Sequence, residues 1–104
     1  MKNRAAPSKL EDQRAEQSLY QAILALEDAD EVMRFFRDLC TPAELQAIVD
    51  RWRVVGLLRA GFTYRQINDQ TGISVTTIGR VARFLADGNG GYRAVAERLD
   101  GDKT

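Results

Sequence analysis

Histidine is absent from this 104-residue chain and cysteine occurs once, as Cys40. Without an imidazole, and without a close pair of carboxylates in an apolar or glycine-lined stretch, the residues offer no acid–base couple and no metal-ligand set. Neither an enzyme nor a metal centre is expected, and no cofactor is called for. A lone thiol excludes an intramolecular disulfide. Beside Leu39 it reads as a small buried hydrophobe in a cytoplasmic protein. No apolar run is long enough to span a bilayer, no strand signal or internal repeat is present, and the formal net charge is zero. A membrane protein and a general nucleic-acid coat are thereby disfavoured. The opening MKNRAAPSKLEDQRAEQ is polar, contains a breaker and carries no signal-peptide pattern. Residues 1–12 are expected to be a disordered tail, 13–100 one helical domain, and 101–104 a frayed end.

Two start signals for helices, eleven residues apart, organise the rest of the chain. Thr63 precedes Gln66 by three positions, the spacing of a capping box, and Phe62 and Ile67 flank it as a hydrophobic staple. A helix from Tyr64 to Thr71 is expected, ended by Gly72, which can enter the left-handed region without a Cβ clash. Ile73 and Ser74 complete the turn. Ser74 repeats the cap, Ile73 and Ile78 repeat the staple, and a second helix is expected from Val75. Ile67 and Thr71 would face Val75, Ile78, Ala82 and Leu85 at helical spacing. The opposite face would carry Thr76, Thr77, Gly79, Arg80 and Arg83, with Tyr64 and Arg65 at the start of the first helix. This is the pattern of a helix-turn-helix over about 63–86, whose second helix reads base edges in the major groove. From Arg51 to Arg83 six arginines (51, 53, 59, 65, 80 and 83) stand against the single acid Asp69. A neutral chain can therefore still present a basic face.

Three more helices precede this unit and one follows. Leu19, Tyr20, Ile23, Leu24 and Leu26 place an amphipathic helix over about Arg14–Glu27. Asp30 is the expected cap of a second helix bearing Val32, Met33, Phe35, Phe36 and Leu39 as a core piece. Thr41-Pro42-Ala43-Glu44 starts a third, running from Pro42 to about Ala60, whose apolar band is too broad for a single seam. A second copy of the chain is the natural cover, so a homodimer is expected. Beyond Leu85 the run DGNGG forces a break, with Gly88 as the cap, before a short last helix through Tyr92, Val95, Ala96 and Leu99.

In this order of elements, the stretches LCTPAELQAIVDRW, LLRAGFTYRQI, TGISVTTIGRV and GNGGYRAV resemble the Trp repressor superfamily, and more closely its YerC/YecD-type branch. The resemblance covers about Leu19 to Leu99. It implies an all-α fold, a six-helix intertwined homodimer, and sequence-specific binding to a palindromic operator in double-stranded DNA, usually to repress transcription. By the same resemblance Arg65 contacts a base or phosphate. Val75, Thr76, Thr77 and Gly79 lie along the groove, and Ser74, Tyr64, Arg80 and Arg83 complete the DNA-binding set. Arg51 and Arg80 resemble the two arginines between which tryptophan binds in the Trp repressor, but Phe84 stands where that pocket needs a small hydroxyl. Arg51, Arg80 and Phe84 would form an effector pocket that Phe84 partly fills, so tryptophan is not expected as corepressor. The competing class is a helical dimeric protein-interaction module with a vestigial helix-turn-helix.

Overall fold

The computed structural model describes residues 8–101, and every regular element among them is a helix. In chain order these are α1 (Lys9–Leu24), α2 (Ala29–Leu39), α3 (Pro42–Arg59), α4 (Tyr64–Thr71), α5 (Val75–Asp87) and α6 (Gly91–Gly101). No helix among the described residues is long and apolar enough to cross a membrane. The helices fall into two compact units divided after Thr41.

The first unit, α1 and α2, starts earlier than its apolar periodicity suggests. Ser8 caps α1, its hydroxyl accepting from the Glu11 N–H at 3.1 Å, and Glu11 and Asp12 lie in the first turn where negative charge is favoured. Residues 9–12 of the expected tail are therefore helical, while residues 1–7 and 102–104 lie outside the described residues. A polar cap outweighed the absence of apolar spacing there. The cap of α2 is Asp28 rather than Asp30. Its carboxylate accepts from the Glu31 N–H at 2.9 Å, and the Glu31 side chain reaches back to the Glu27 N–H at 3.0 Å. Only the earlier aspartate has a glutamate three positions on to reciprocate. Asp30 lies within the first turn instead and pairs with Arg34 at 2.9 Å.

Neither α1 nor α2 contains a fully buried residue. Phe35 and Phe36 meet edge to face at 5.8 Å and are half-buried, but Val32, Met33 and Leu39 remain 40–50% exposed, so α2 is not a core piece within one chain. Cys40, expected to be buried, is half-buried at the extended C-cap of α2, with its N–H on the Phe36 carbonyl at 2.9 Å.

The second unit holds the core. Val54 and Val55 from α3, Ile67 from α4, Ile73 from the turn, and Ile78 and Val81 from α5 close on one another, with Leu57, Leu58, Leu85 and Tyr92 packed around them. The inward stripe of α5 is thus Ile78, Val81 and Leu85, with Ala82 half-buried beside it. Val75 does not belong to it. As the first residue of α5 it lies beyond the covered stretch and is 54% exposed. Phe62, just before α4, is 37% exposed and is not part of the buried cluster.

α6 packs on the same core through Tyr92, its Ala96 is buried, and the Trp52 and Tyr92 rings lie 6.4 Å apart. Arg59 of α3 meets Asp100 of α6 at 2.8 Å, and the Arg93 guanidinium donates to the Leu85 carbonyl near the end of α5 at 3.2 Å. Gly88 caps α5 as expected, for a steric reason. At this φ of −85° a Cβ would fall 2.3 Å from the Phe84 carbonyl oxygen, so no side chain fits.

Candidate nucleic-acid interface

The geometry of this surface is set by how rigidly α4 and α5 are joined. Thr63 and Gln66 form both halves of the capping box, with the Gln66 N–H on Thr63 Oγ1 at 3.1 Å and the Thr63 N–H on Gln66 Oε1 at 2.9 Å. Gly72 ends α4 with φ +75°, and its N–H is bonded to the Asn68 carbonyl at 2.9 Å. Ser74 then caps α5, accepting from the Thr77 N–H at 3.1 Å.

Two further side chains lock the turn. Asn68 Nδ2 donates to the Ile73 carbonyl at 2.9 Å, while Thr71 Oγ1 donates to the Ile67 carbonyl at 2.6 Å and accepts from the Ile73 N–H at 3.0 Å. These bonds hold Ile73 so that its side chain enters the core. Sequence reasoning passed over Asn68 and gave Thr71 only a packing role. The available signal was two short polar side chains beside a glycine turn, where they can satisfy backbone groups that neither helix does.

With the apolar stripe turned inward, the opposite side of α5 faces out. Val75, Thr76, Arg80 and Arg83 are exposed, Thr77 and Gly79 are half-buried, and Tyr64 and Arg65 are exposed at the start of α4. A methyl group at Gly79 would stand 3.9 Å from the Tyr64 ring, which places the first turn of α4 beside the middle of α5. The Ser74 hydroxyl is engaged locally as a cap and donates to Thr77 Oγ1 at 3.0 Å. Thr77 Oγ1 therefore has an internal donor, leaving its own proton to be offered outward.

Arg80 and Arg83 both lie over the ring of Phe84, at 5.0 and 5.5 Å from its centroid. The structure thus brings together two members of the expected effector pocket, Arg80 and Phe84. Arg51 is exposed on α3 and takes no part in this stack. Among the described residues no carboxylate is paired with Arg80 or Arg83; the side-chain ion pairs are Arg34–Asp30 and Arg59–Asp100. Two uncompensated guanidiniums, a threonine hydroxyl and a glycine therefore share one outer face, carried on a braced corner. Such a surface can accept a polyanion and present hydrogen-bond donors at close range.

A bundle of short helices with this corner defines the class to which the chain is related. The chain belongs to the Trp repressor protein family, whose pattern it matches over residues 15–100. Within the family it is similar to the protein YerC of Bacillus subtilis (strain 168), with 43% identity over 86 residues that span 83% of each chain. Among solved structures it is similar to a TrpR-like protein from Eubacterium eligens ATCC 27750, at a TM-score of 0.79 and 46% identity, over 84% of this chain and 90% of that one. A candidate Trp repressor from Staphylococcus aureus superposes at a TM-score of 0.80 with 36% identity, over 90% of this chain and 96% of that one. The all-α, Trp-repressor-like fold expected from the sequence is the fold observed.

Proposed function

We propose that the protein is a cytoplasmic, sequence-specific transcriptional regulator that binds double-stranded DNA, most simply as a repressor, with α4 and α5 acting as a helix-turn-helix. The observation that carries this reading is the outer face of α5, where Val75, Thr76, Thr77, Gly79, Arg80 and Arg83 run along one side of a helix whose other side is fixed in the core. Val75 and the threonine methyls suit the methyl of thymine. The arginines suit guanine or phosphate. Membership of the Trp repressor family supports the same class of regulator.

The working unit in this reading is a homodimer on a palindromic operator. Support comes from Leu24, Val32, Met33, Leu39, Ile48, Val49 and Trp52, large apolar side chains that a single chain leaves exposed. Selection of bound duplexes from random DNA is expected to return an inverted repeat with half-sites about one helical turn, ~34 Å, apart. Recovery of no consensus, with salt-independent binding, would point to a protein-interaction module instead.

Gly79 gives an independent test. Glycine inside a helix is less stable than alanine by roughly 0.5–1 kcal/mol, and in this chain a methyl group would meet only the Tyr64 ring at ordinary van der Waals distance. The fold therefore has no need of glycine there, whereas a DNA surface approaching α5 does. Gly79→Ala is expected to raise the denaturation midpoint and to weaken operator binding. A variant more stable and equally tight would show that nothing approaches this backbone.

A further inference from the structure

The placement of Phe84 reaches beyond the outer face itself. Arg80 and Arg83 are three residues apart on the same side of α5, a spacing at which like charges repel and free side chains would splay apart. Instead both guanidinium carbons stand over one ring, at 5.0 and 5.5 Å, inside the range in which a cation is drawn to the face of an aromatic. The ring is half-buried, so it is held by the helix and its surroundings, while both arginines remain exposed. No carboxylate competes for either guanidinium among the described residues. The ring is thus the group that orders them, and it does so without neutralising their charge.

We propose that Phe84 is a positioning residue for DNA binding, holding Arg80 and Arg83 as a preformed cationic pair directed at the nucleic acid. This rests on the DNA-binding reading above and adds a role for a residue that itself need touch no DNA. Ordering a long, rotamer-rich side chain on binding opposes affinity, and an aromatic that orders it beforehand removes that opposition. A carboxylate could order an arginine equally well, but it would repel phosphate. A neutral ring serves both requirements.

The test is a double-mutant cycle on the full chain with its selected duplex, using Phe84→Leu, Arg80→Ala and the double variant, with Phe84→Trp as the conservative replacement. Phe84→Leu is expected to lower affinity about tenfold, from contacts of this kind in both subunits, and Phe84→Trp to restore it. In the Arg80→Ala background Phe84→Leu should cost markedly less, because the ring acts through the arginine. Without DNA, the Arg80 side-chain protons should show ring-current shifts in the natural protein that Phe84→Leu abolishes, at unchanged helical content. Equal losses in both backgrounds, or natural affinity in Phe84→Leu, would overturn the positioning role while leaving the DNA-binding reading intact. Absence of DNA binding by the natural protein would overturn both. Loss of helical content in Phe84→Leu shifts the decision to Phe84→Trp and the ring-current readout, where unshifted Arg80 protons in the natural protein would overturn the proposal.

Discussion

Truncating Ile67 or Ile78 to alanine is expected to lower the unfolding free energy by about 2–5 kcal/mol. Each of these side chains is 0% exposed, and they come from opposite sides of the α4–α5 corner into the cluster shared with Val54, Val55, Ile73 and Val81. The loss combines the transfer free energy of the deleted carbons with the cavity left behind. Ile67 and Ile78 belong to helices pinned by caps and by the Asn68 and Thr71 bonds, so the corner has little freedom to collapse onto the gap. Against a typical domain stability of about 5–15 kcal/mol, such a loss is a large share of the total. Val75→Ala, on a side chain 54% exposed, is the control and should stay within about 0.5 kcal/mol. Urea unfolding at fixed protein concentration measures both. A shift of less than 1 kcal/mol for Ile67→Ala would mean that the α3–α4–α5 cluster is not the core that holds the corner.

The same cluster shows why parts of the fold were legible in the sequence and others were not. Thr63, Gly72, Ser74 and Pro42 are local signals, each acting within four residues, and each marks the helix end that the chain uses. The apolar band of helix α3 is too broad for a single seam, so periodicity could not indicate which side its own chain would cover. The structure buries Val54 and Val55 and leaves Ile48, Val49 and Trp52 exposed. The two aspartates at the start of α2 are equivalent in propensity, and only the reach of Glu31 back to Glu27 chooses Asp28. Val81 was hidden for another reason. On α5 the inward stripe steps from Ile78 to Val81 to Leu85, and a choice between i+3 and i+4 depends on where α3 lies, which no local pattern states. At the candidate interface the polar outer face was legible from spacing. The bracing of Ile73 by Asn68 and Thr71 and the stacking of two arginines on Phe84 depend on side-chain rotamers and appear only once the corner is built.

In the proposed DNA-binding homodimer, replacing Arg80 by alanine should weaken binding to the selected operator about 100-fold, with the fold and subunit pairing unchanged. The magnitude follows from a charge-assisted hydrogen bond, to phosphate or to a base edge, worth about 1.5 kcal/mol at its lower end and made twice in a two-fold complex. Two different contacts predict different accompaniments. If Arg80 grips a guanine edge, its loss relaxes the base preference at one position of each half-site and leaves the salt dependence nearly as it was. If Arg80 holds phosphate, its loss weakens all sequences alike and flattens the slope of log affinity against log salt by about 0.9 per contact, or roughly 1.8 for the complex. The exposure of Arg80 near the middle of α5, rather than among its first residues, and its place beside Arg83 over one ring favour the phosphate outcome. The first turn, with Val75, Thr76 and Thr77, is then left to read bases. Titrations of natural and Arg80→Ala protein against operator and scrambled duplexes at several salt concentrations separate these cases. Natural affinity and natural slope in Arg80→Ala would remove Arg80 from any role in binding DNA.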